Sequence, residues 1–97
     1  MLLIFIAKSE GFPCPCCGFL TLDEPANNTY SICPVCYWED DDLQNNNPDL
    51  AGGANKECLK EARCNFKKFK ASSLMYLKKV RSPIPNEIPD GYCEENK

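Results

Sequence analysis

Residues 12–20, "FPCPCCGFL", and residues 32–37, "ICPVCY", each contain Cys-Pro-x-Cys, and the reading of this repeat decides the fold. Fifteen residues separate Cys17 from Cys33, which gives C-x2-C-x15-C-x2-C, the spacing of a four-thiolate zinc site. Two residues between cysteines let one tight turn aim both sulfurs at a single ion. Backbone amides within the turn point at the sulfurs and disperse their charge. Pro15 and Pro34 preset φ for such a turn, and Gly18 can take the positive φ that follows the second ligand. Tyr37 stands at the matching place in the second copy, where the same conformation strains a side chain. The expected metal ligands are Cys14, Cys17, Cys33 and Cys36. Cys16 fills the x position of the first copy, because using it as a ligand would leave one or no intervening residue. A tetrahedral four-sulfur set also admits iron, but nothing in the sequence suggests a redox partner, so one structural zinc ion is expected.

Length and composition set the frame around this motif. With 97 residues, 43% hydrophobic and 26% charged, the chain is expected to form one globular domain, residues 1–97. Eight cysteines in so short a chain point either to a secreted disulfide framework or to a metal. The N-terminus "MLLIFIAKSEG" favours the metal. It has no basic n-region and its apolar run, Leu2 to Ala7, is too short for a signal core or membrane span. It reads as a buried strand, and the chain is expected in a reducing cytoplasm with no membrane contact.

Four segments follow along the chain. Residues 13–38 form the cysteine module, with strand-like runs "GFLTL" and "TYSIC" joined through a turn at Asn27-Asn28. Residues 39–53, "EDDDLQNNNPDLAGG", read as a solvated acidic loop; neither Asp40 nor Asp42 starts a calcium-binding loop, since the required glycine and glutamate are missing. In residues 55–82, Asn55 is placed to cap a helix whose stripe Leu59, Ala62, Phe66 and Phe69 recurs at three and four, ending near Lys70. The opposite face carries Lys56, Lys60, Arg63, Lys67, Lys68 and Lys70. A further helical turn in "SSLMYLKKV" is expected to bury Leu74, Leu77 and Val80, and the Pro-rich tail, residues 83–97, to be extended. Cys58 and Cys64 read as small buried hydrophobes on the helix. The fold class is thus small α+β: a zinc-ribbon or rubredoxin-like knuckle module with short antiparallel strands, then a C-terminal helix and an extended tail.

The chain has no histidine, so it lacks the commonest general base and the usual ligand of an open catalytic zinc. No phosphate loop, dinucleotide fingerprint or nucleophile elbow occurs, and the carboxylates Glu39 to Asp42 read as a surface patch. No catalytic residue is assigned and no enzyme activity is expected. Charge is divided along the chain: residues 1–55 hold one basic residue and eight acids, residues 56–97 ten basic and six. An acidic surface of this kind attracts basic proteins and repels nucleic acid.

Cys14-Pro15-Cys16-Cys17-Gly18, "ICPVCYWEDD" at 32–41, "NPDLAGGAN" at 47–55, "EARCNFKKF" at 61–69 and Val80-Arg81-x-Pro83, in that order, resemble the bacterial cysteine-rich CPCC family. The resemblance runs from about Phe12 to Pro83, with Tyr37 where a phenylalanine is expected. It implies a small zinc-ribbon-like module with an appended helix. Similar proteins beside bacterial polymorphic or contact-dependent toxins imply an immunity role. In that reading Trp38, Glu39, Asp40, Asp41, Asp42 and Asp49 bind the basic cleft of a nuclease toxin, with Tyr37 and Trp38 either as aromatic anchors or as core rings packed under the zinc site. Two alternatives use other features: a nucleic-acid-binding zinc ribbon using the basic helix face, and a metal or thiol sensor using Cys16.

Overall fold

The computed structural model describes residues 11–92. The apolar run Leu2–Ala7 and Cys93 lie outside the described residues. Within them the chain forms β1 (Phe12–Pro13), β2 (Leu20–Leu22), α1 (Asp42–Asn46) and α2 (Leu59–Phe69), with 3-10 turns at Leu74–Tyr76 and Pro85–Glu87. This is a small α+β arrangement around a cysteine cluster, and no helix among the described residues is long and apolar enough to cross a membrane.

The strands do not pair as the sequence suggests. "GFLTL" does not pair with "TYSIC"; instead β2 returns antiparallel to β1, with Phe12 opposite Leu22 and Pro13 opposite Leu20 across an irregular register. The second run contributes a single bridge, Ile32 to Glu39. The reason is local closure. Each Cys-Pro-x-Cys turn folds its own flanks together into a short hairpin, which costs less chain entropy than pairing two separate hairpins.

The acidic segment is a solvated loop only in its second half: residues 46–53 are exposed, while Asp40, Asp41 and Gln44 are buried. Asp41 starts α1, its Oδ1 accepting from the Leu43 amide at 3.0 Å and its Oδ2 from the Ala54 amide at 2.9 Å. On α1 the fully buried Gln44 donates through Nε2 to the carbonyls of Leu50, Asn55 and Glu57, and its Oε1 accepts from the Asn55 amide and Nδ2. The loop before α2 therefore wraps around one glutamine side chain. Gly53 is needed there, since a Cβ would lie 2.7 Å from Asp41 Oδ2 and 2.9 Å from the Gln44 amide carbon.

Helix α2 begins three residues later than the Asn55 cap implies. Cys58 is its N-cap, with Sγ accepting from the Glu61 amide at 3.4 Å. Asn55 instead faces inward and clamps Glu39 through both backbone groups, at 2.8 and 2.9 Å. Leu59 and Ala62 are fully buried and Phe66 packs against the core, so the apolar stripe does face inward. Lys70 ends the helix in the left-handed conformation, φ +68°, its amide donating to Phe66 at 2.9 Å. After it, Ala71, Ser72 and Ser73 are buried while Leu74 is 65% and Leu77 45% exposed, the reverse of the expected burial; Val80 is half-buried. The buried residues precede the 3-10 turn, and none of the turn's own residues is buried. Among its described residues the tail holds a 3-10 turn at Pro85–Glu87, pinned by the bidentate pair of Arg81 with Glu87 at 2.9 and 2.8 Å, and a further turn in which the Tyr92 amide donates to the Pro89 carbonyl at 3.1 Å.

Candidate metal centre

The two Cys-Pro-x-Cys turns are built alike, bond for bond. In the first, the Cys14 amide donates to Phe19 (2.9 Å), the Gly18 amide to the Cys14 carbonyl (2.8 Å), and the Cys16 amide to Cys14 Sγ (3.4 Å). In the second, the Cys33 amide donates to Trp38 (3.0 Å), the Tyr37 amide to the Cys33 carbonyl (2.7 Å), and the Val35 amide to Cys33 Sγ (3.4 Å). Both turns close through a residue at positive φ, Gly18 at +83° and Tyr37 at +72°. Glycine adopts this conformation freely; tyrosine adopts it at a cost of about 1–2 kcal/mol. Its ring is held against Tyr76, with centroids 4.6 Å apart.

Facing each other, the turns bring four sulfurs together. The Sγ atoms of Cys14, Cys17, Cys33 and Cys36 all lie within 4.8 Å of one another, the one such group of potential ligands among the described residues. Cys14 and Cys36 are 3.6 Å apart and Cys17 and Cys33 are 3.7 Å apart. A tetrahedral ion bound at about 2.3 Å requires sulfur–sulfur edges of about 3.8 Å, so this set fits such an ion. None of the four cysteines is disulfide-bonded, and Cys33 and Cys36 are wholly buried. Thr21 on β2 adds a hydroxyl donor, Oγ1 to Cys33 Sγ at 3.0 Å.

The electrostatics ask for a cation. Hydrogen bonding with Cys14 first, and with Cys33, pushes Cys36 and Cys17 far above the ordinary thiol value, with burial acting in the same direction. The bonds Cys33 receives, from Cys14 first, then Cys17, Cys36 and Thr21, hold it far below. Four thiols so close cannot all ionise unaided. A divalent ion removes the conflict, because the thiolate is the ligating form.

Other parts of the chain hold the turns in place. Arg63 on α2 donates Nε–H to the Pro15 carbonyl at 2.9 Å, across 48 positions of sequence. The second turn is held by the Ser72 amide donating to Cys36 (2.8 Å) and the Arg81 amide to Pro34 (3.2 Å). These supports, with Thr21, Gln44 and Asn55, escape a motif reading. The hint is that Asn55, Arg63 and Arg81 fall inside the motifs "NPDLAGGAN", "EARCNFKKF" and Val80-Arg81-x-Pro83. Cys16 is buried beside the cluster. Cys58 and Cys64 are not core residues, the first being a half-buried helix cap and the second exposed.

The residues expected to face a partner divide into two groups. Trp38 and Asp40 are each 1% exposed and Asp41 is buried, which corrects their reading as a contact surface. Asp40 Oδ2 accepts from the Asn27 amide, the Thr29 amide and Thr29 Oγ1 at 2.9, 2.9 and 2.7 Å, and Oδ1 accepts from Asn45 at 2.6 Å. Asn45 Oδ1 accepts from the Trp38 indole at 3.0 Å, so indole, amide and carboxylate form one buried chain. Burial alone would raise the Asp40 carboxyl, but the bonds from Thr29, Asn27 and Asn45 outweigh it and hold it below the ordinary value. Glu39 and Asp42 are half-exposed and Asp49 is exposed, with Lys60 3.7 Å from it. On the basic face, Lys60 meets Asp49, Arg63 meets Pro15, and Lys70 lies 5.6 Å from the Phe66 ring centroid. Much of that charge is therefore used within the molecule.

A family model described as "Cysteine-rich CPCC" matches residues 12–87, which include both turns, α2 and the Arg81–Glu87 clasp. No curated protein matches the chain.

Proposed function

We propose that this chain, which belongs to the cysteine-rich CPCC family, is a non-enzymatic binding module of the rubredoxin or zinc-ribbon kind, held in shape by one zinc ion. The observation that carries this is the four-sulfur cluster, all within 4.8 Å with two edges at 3.6 and 3.7 Å, three of its cysteines buried and its sulfurs supplied with donors from Cys16, Val35 and Thr21. Four thiolates fill a tetrahedron and leave no position for water or substrate, which is the mark of a structural centre. When bound, the ion supplies charge neutralisation and a cross-link between the two turns. The protein's own groups orient the sulfurs and exclude solvent. Native mass spectrometry of protein from cells tests this: one zinc per chain is expected, lost with Cys33→Ser. A chain that folds without any metal overturns the reading.

The finer assignment is a bacterial cytoplasmic immunity protein acting on a basic nuclease toxin. It draws support from Glu39, Asp42 and Asp49, the three of the six expected contact residues that keep solvent access. The test reads the genes on either side of this one for a basic nuclease and pairs its product with the protein; a neighbourhood without such a gene also counts against the toxin reading. Asp42→Asn combined with Asp49→Asn retains zinc and weakens binding at low salt; unchanged affinity removes the toxin reading and leaves the metal module standing.

A further inference from the structure

Ile32 and Glu39 form an isolated antiparallel bridge across the second cysteine turn. The bonds flanking it run from the Asp40 amide to the Ser31 carbonyl, 2.9 Å, and from the Cys33 amide to the Trp38 carbonyl, 3.0 Å. In such a pair the two residues' own backbone groups point away from the ladder. On the Glu39 side those groups are taken: Asn55 Oδ1 accepts from the amide at 2.8 Å and Asn55 Nδ2 donates to the carbonyl at 2.9 Å. One side chain thus stands in for a neighbouring strand. On the Ile32 side the amide and carbonyl have no partner among the described residues, and the side chain is 46% exposed. That edge is open.

Tyr30 sits on the same edge in a strained conformation. Its amide donates to the Asp40 carbonyl at 3.0 Å while Ser31 accepts from the Asp40 amide, so two residues oppose one in a β-bulge. Tyr30 takes φ +61° at the first place of the bulge, a position that suits glycine. Tyr37 holds a similar φ with its ring against Tyr76, whereas the Tyr30 ring is 55% exposed and stacks on no ring among the described residues. The fold draws little packing in return, and strain held this way points to a task outside the fold.

The surroundings are acidic. Glu39 lies across the bridge from Ile32, on the same face, and the Asp42 amide donates to Asn28 Oδ1 at 3.1 Å, just before Tyr30. Both carboxylates keep solvent access, and no lysine or arginine occurs between Gly11 and Asn55. A second copy paired edge to edge would set these carboxylates against each other. A cationic segment complements them.

We propose that the open edge at residues 30–32 takes up an extended, lysine- or arginine-bearing segment of a partner protein, which adds as a strand. Its backbone makes with Ile32 the two bonds that Asn55 makes with Glu39, its basic side chains face Glu39 and Asp42, and its apolar ones pack on the Tyr30 ring. This rests on the reading of the chain as a binding module and requires no toxin.

The test is an amide NMR titration of the full zinc-loaded chain at low salt with a capped peptide of alternating lysine and valine. Shift changes centred on residues 30–32 and 39 are expected. Exchange of the Ile32 amide slows at saturation by about fivefold, the worth of one net hydrogen bond. Both effects fade with added salt, and a peptide of alternating glutamate and valine produces neither. Glu39→Gln weakens lysine-peptide binding several-fold and keeps zinc. Tyr30→Gly removes ring and strain together, so the urea midpoint holds or rises while peptide binding falls several-fold. Several results overturn the proposal: no shifts at millimolar lysine peptide, unchanged Ile32 exchange at saturation, equal binding of the glutamate peptide, or a Tyr30→Gly chain that loses stability or binds undiminished. Protection of Ile32 on concentrating the free chain also overturns it and assigns the edge to a second copy. A failed titration leaves the zinc centre standing, whereas a chain that folds without metal ends the module reading itself.

Discussion

Replacing Asp40 by Asn tests whether the acidic segment is internal structure. The carboxylate accepts four hydrogen bonds, three on Oδ2 and one on Oδ1. An asparagine must put an NH₂ at one end. Placed at Oδ2 it faces three donors; placed at Oδ1 it faces Asn45 Nδ2. Rotating Asn45 relieves the second clash but turns its nitrogen toward the Trp38 indole, which loses its acceptor. No rotamer satisfies the whole chain. The smallest loss is one charge-assisted bond, about 1.5–3 kcal/mol, and a buried donor left unpaired adds about 1–3 kcal/mol. We expect a loss of about 3 kcal/mol in urea unfolding of the zinc-loaded protein at pH 7, read from the midpoint at unchanged slope. A loss below about 0.5 kcal/mol, the range of ordinary surface changes, would refute the reasoning and return Asp40 to the surface. The pH dependence has a definite sign. The folded Asp40 carboxyl titrates below its unfolded value, so its contribution is complete above the unfolded value of about 3.9 and is lost as pH falls through the folded one. The gap between wild type and Asp40→Asn is therefore flat at neutral pH and narrows in acid.

The remaining predictions concern the turns and the tail. Gly18→Ala meets no atom within 4 Å, so its cost is the backbone alone, about 1–2 kcal/mol by thermal unfolding, whereas Gly11→Ala drives a Cβ into the Leu20 carbonyl and costs more. Arg81→Ala leaves the largely buried Glu87 without its guanidinium; because the arginine is 44% exposed, about 1–2 kcal/mol is expected in urea, and most of it returns in the double change with Glu87→Ala. Glu87 is itself held below its usual value by Arg81, so the clasp weakens only as pH falls through the carboxylate range. Arg63→Ala removes the donor to Pro15 and is expected to speed zinc transfer to a chelator more than Lys67→Ala, an exposed neighbour on the same helix.

Spacing made the metal cluster legible, because a two-residue gap fixes turn geometry through local bonds alone. Cys14, Cys17, Cys33 and Cys36, picked out by spacing, are the four whose sulfurs converge. The helical stripe was legible for the same reason: Leu59, Ala62 and Phe66 face the core at the period the sequence shows. Composition misled where a polar side chain finds its partners far along the chain. Four consecutive acids read as a solvated patch, yet Asp40 faces backbone amides 11 and 13 positions away and Asp41 faces Ala54. Asn55 reads as a helix cap, yet its amide matches the backbone of Glu39. Strand pairing was missed because "GFLTL" and "TYSIC" look like partners in sequence, while each is drawn back across its own cysteine turn. Arg63 carried no signal of its role beyond its place in "EARCNFKKF", since a basic residue on an exposed helix face reads as solvated.

The most direct test of the central claim is X-ray absorption at the zinc edge of the protein as isolated from cells. The account predicts four sulfur ligands at about 2.3 Å with no nitrogen or oxygen neighbour, and no bound zinc in Cys33→Ser. A first shell containing oxygen or nitrogen in the wild type, or one unchanged by Cys33→Ser, would contradict it.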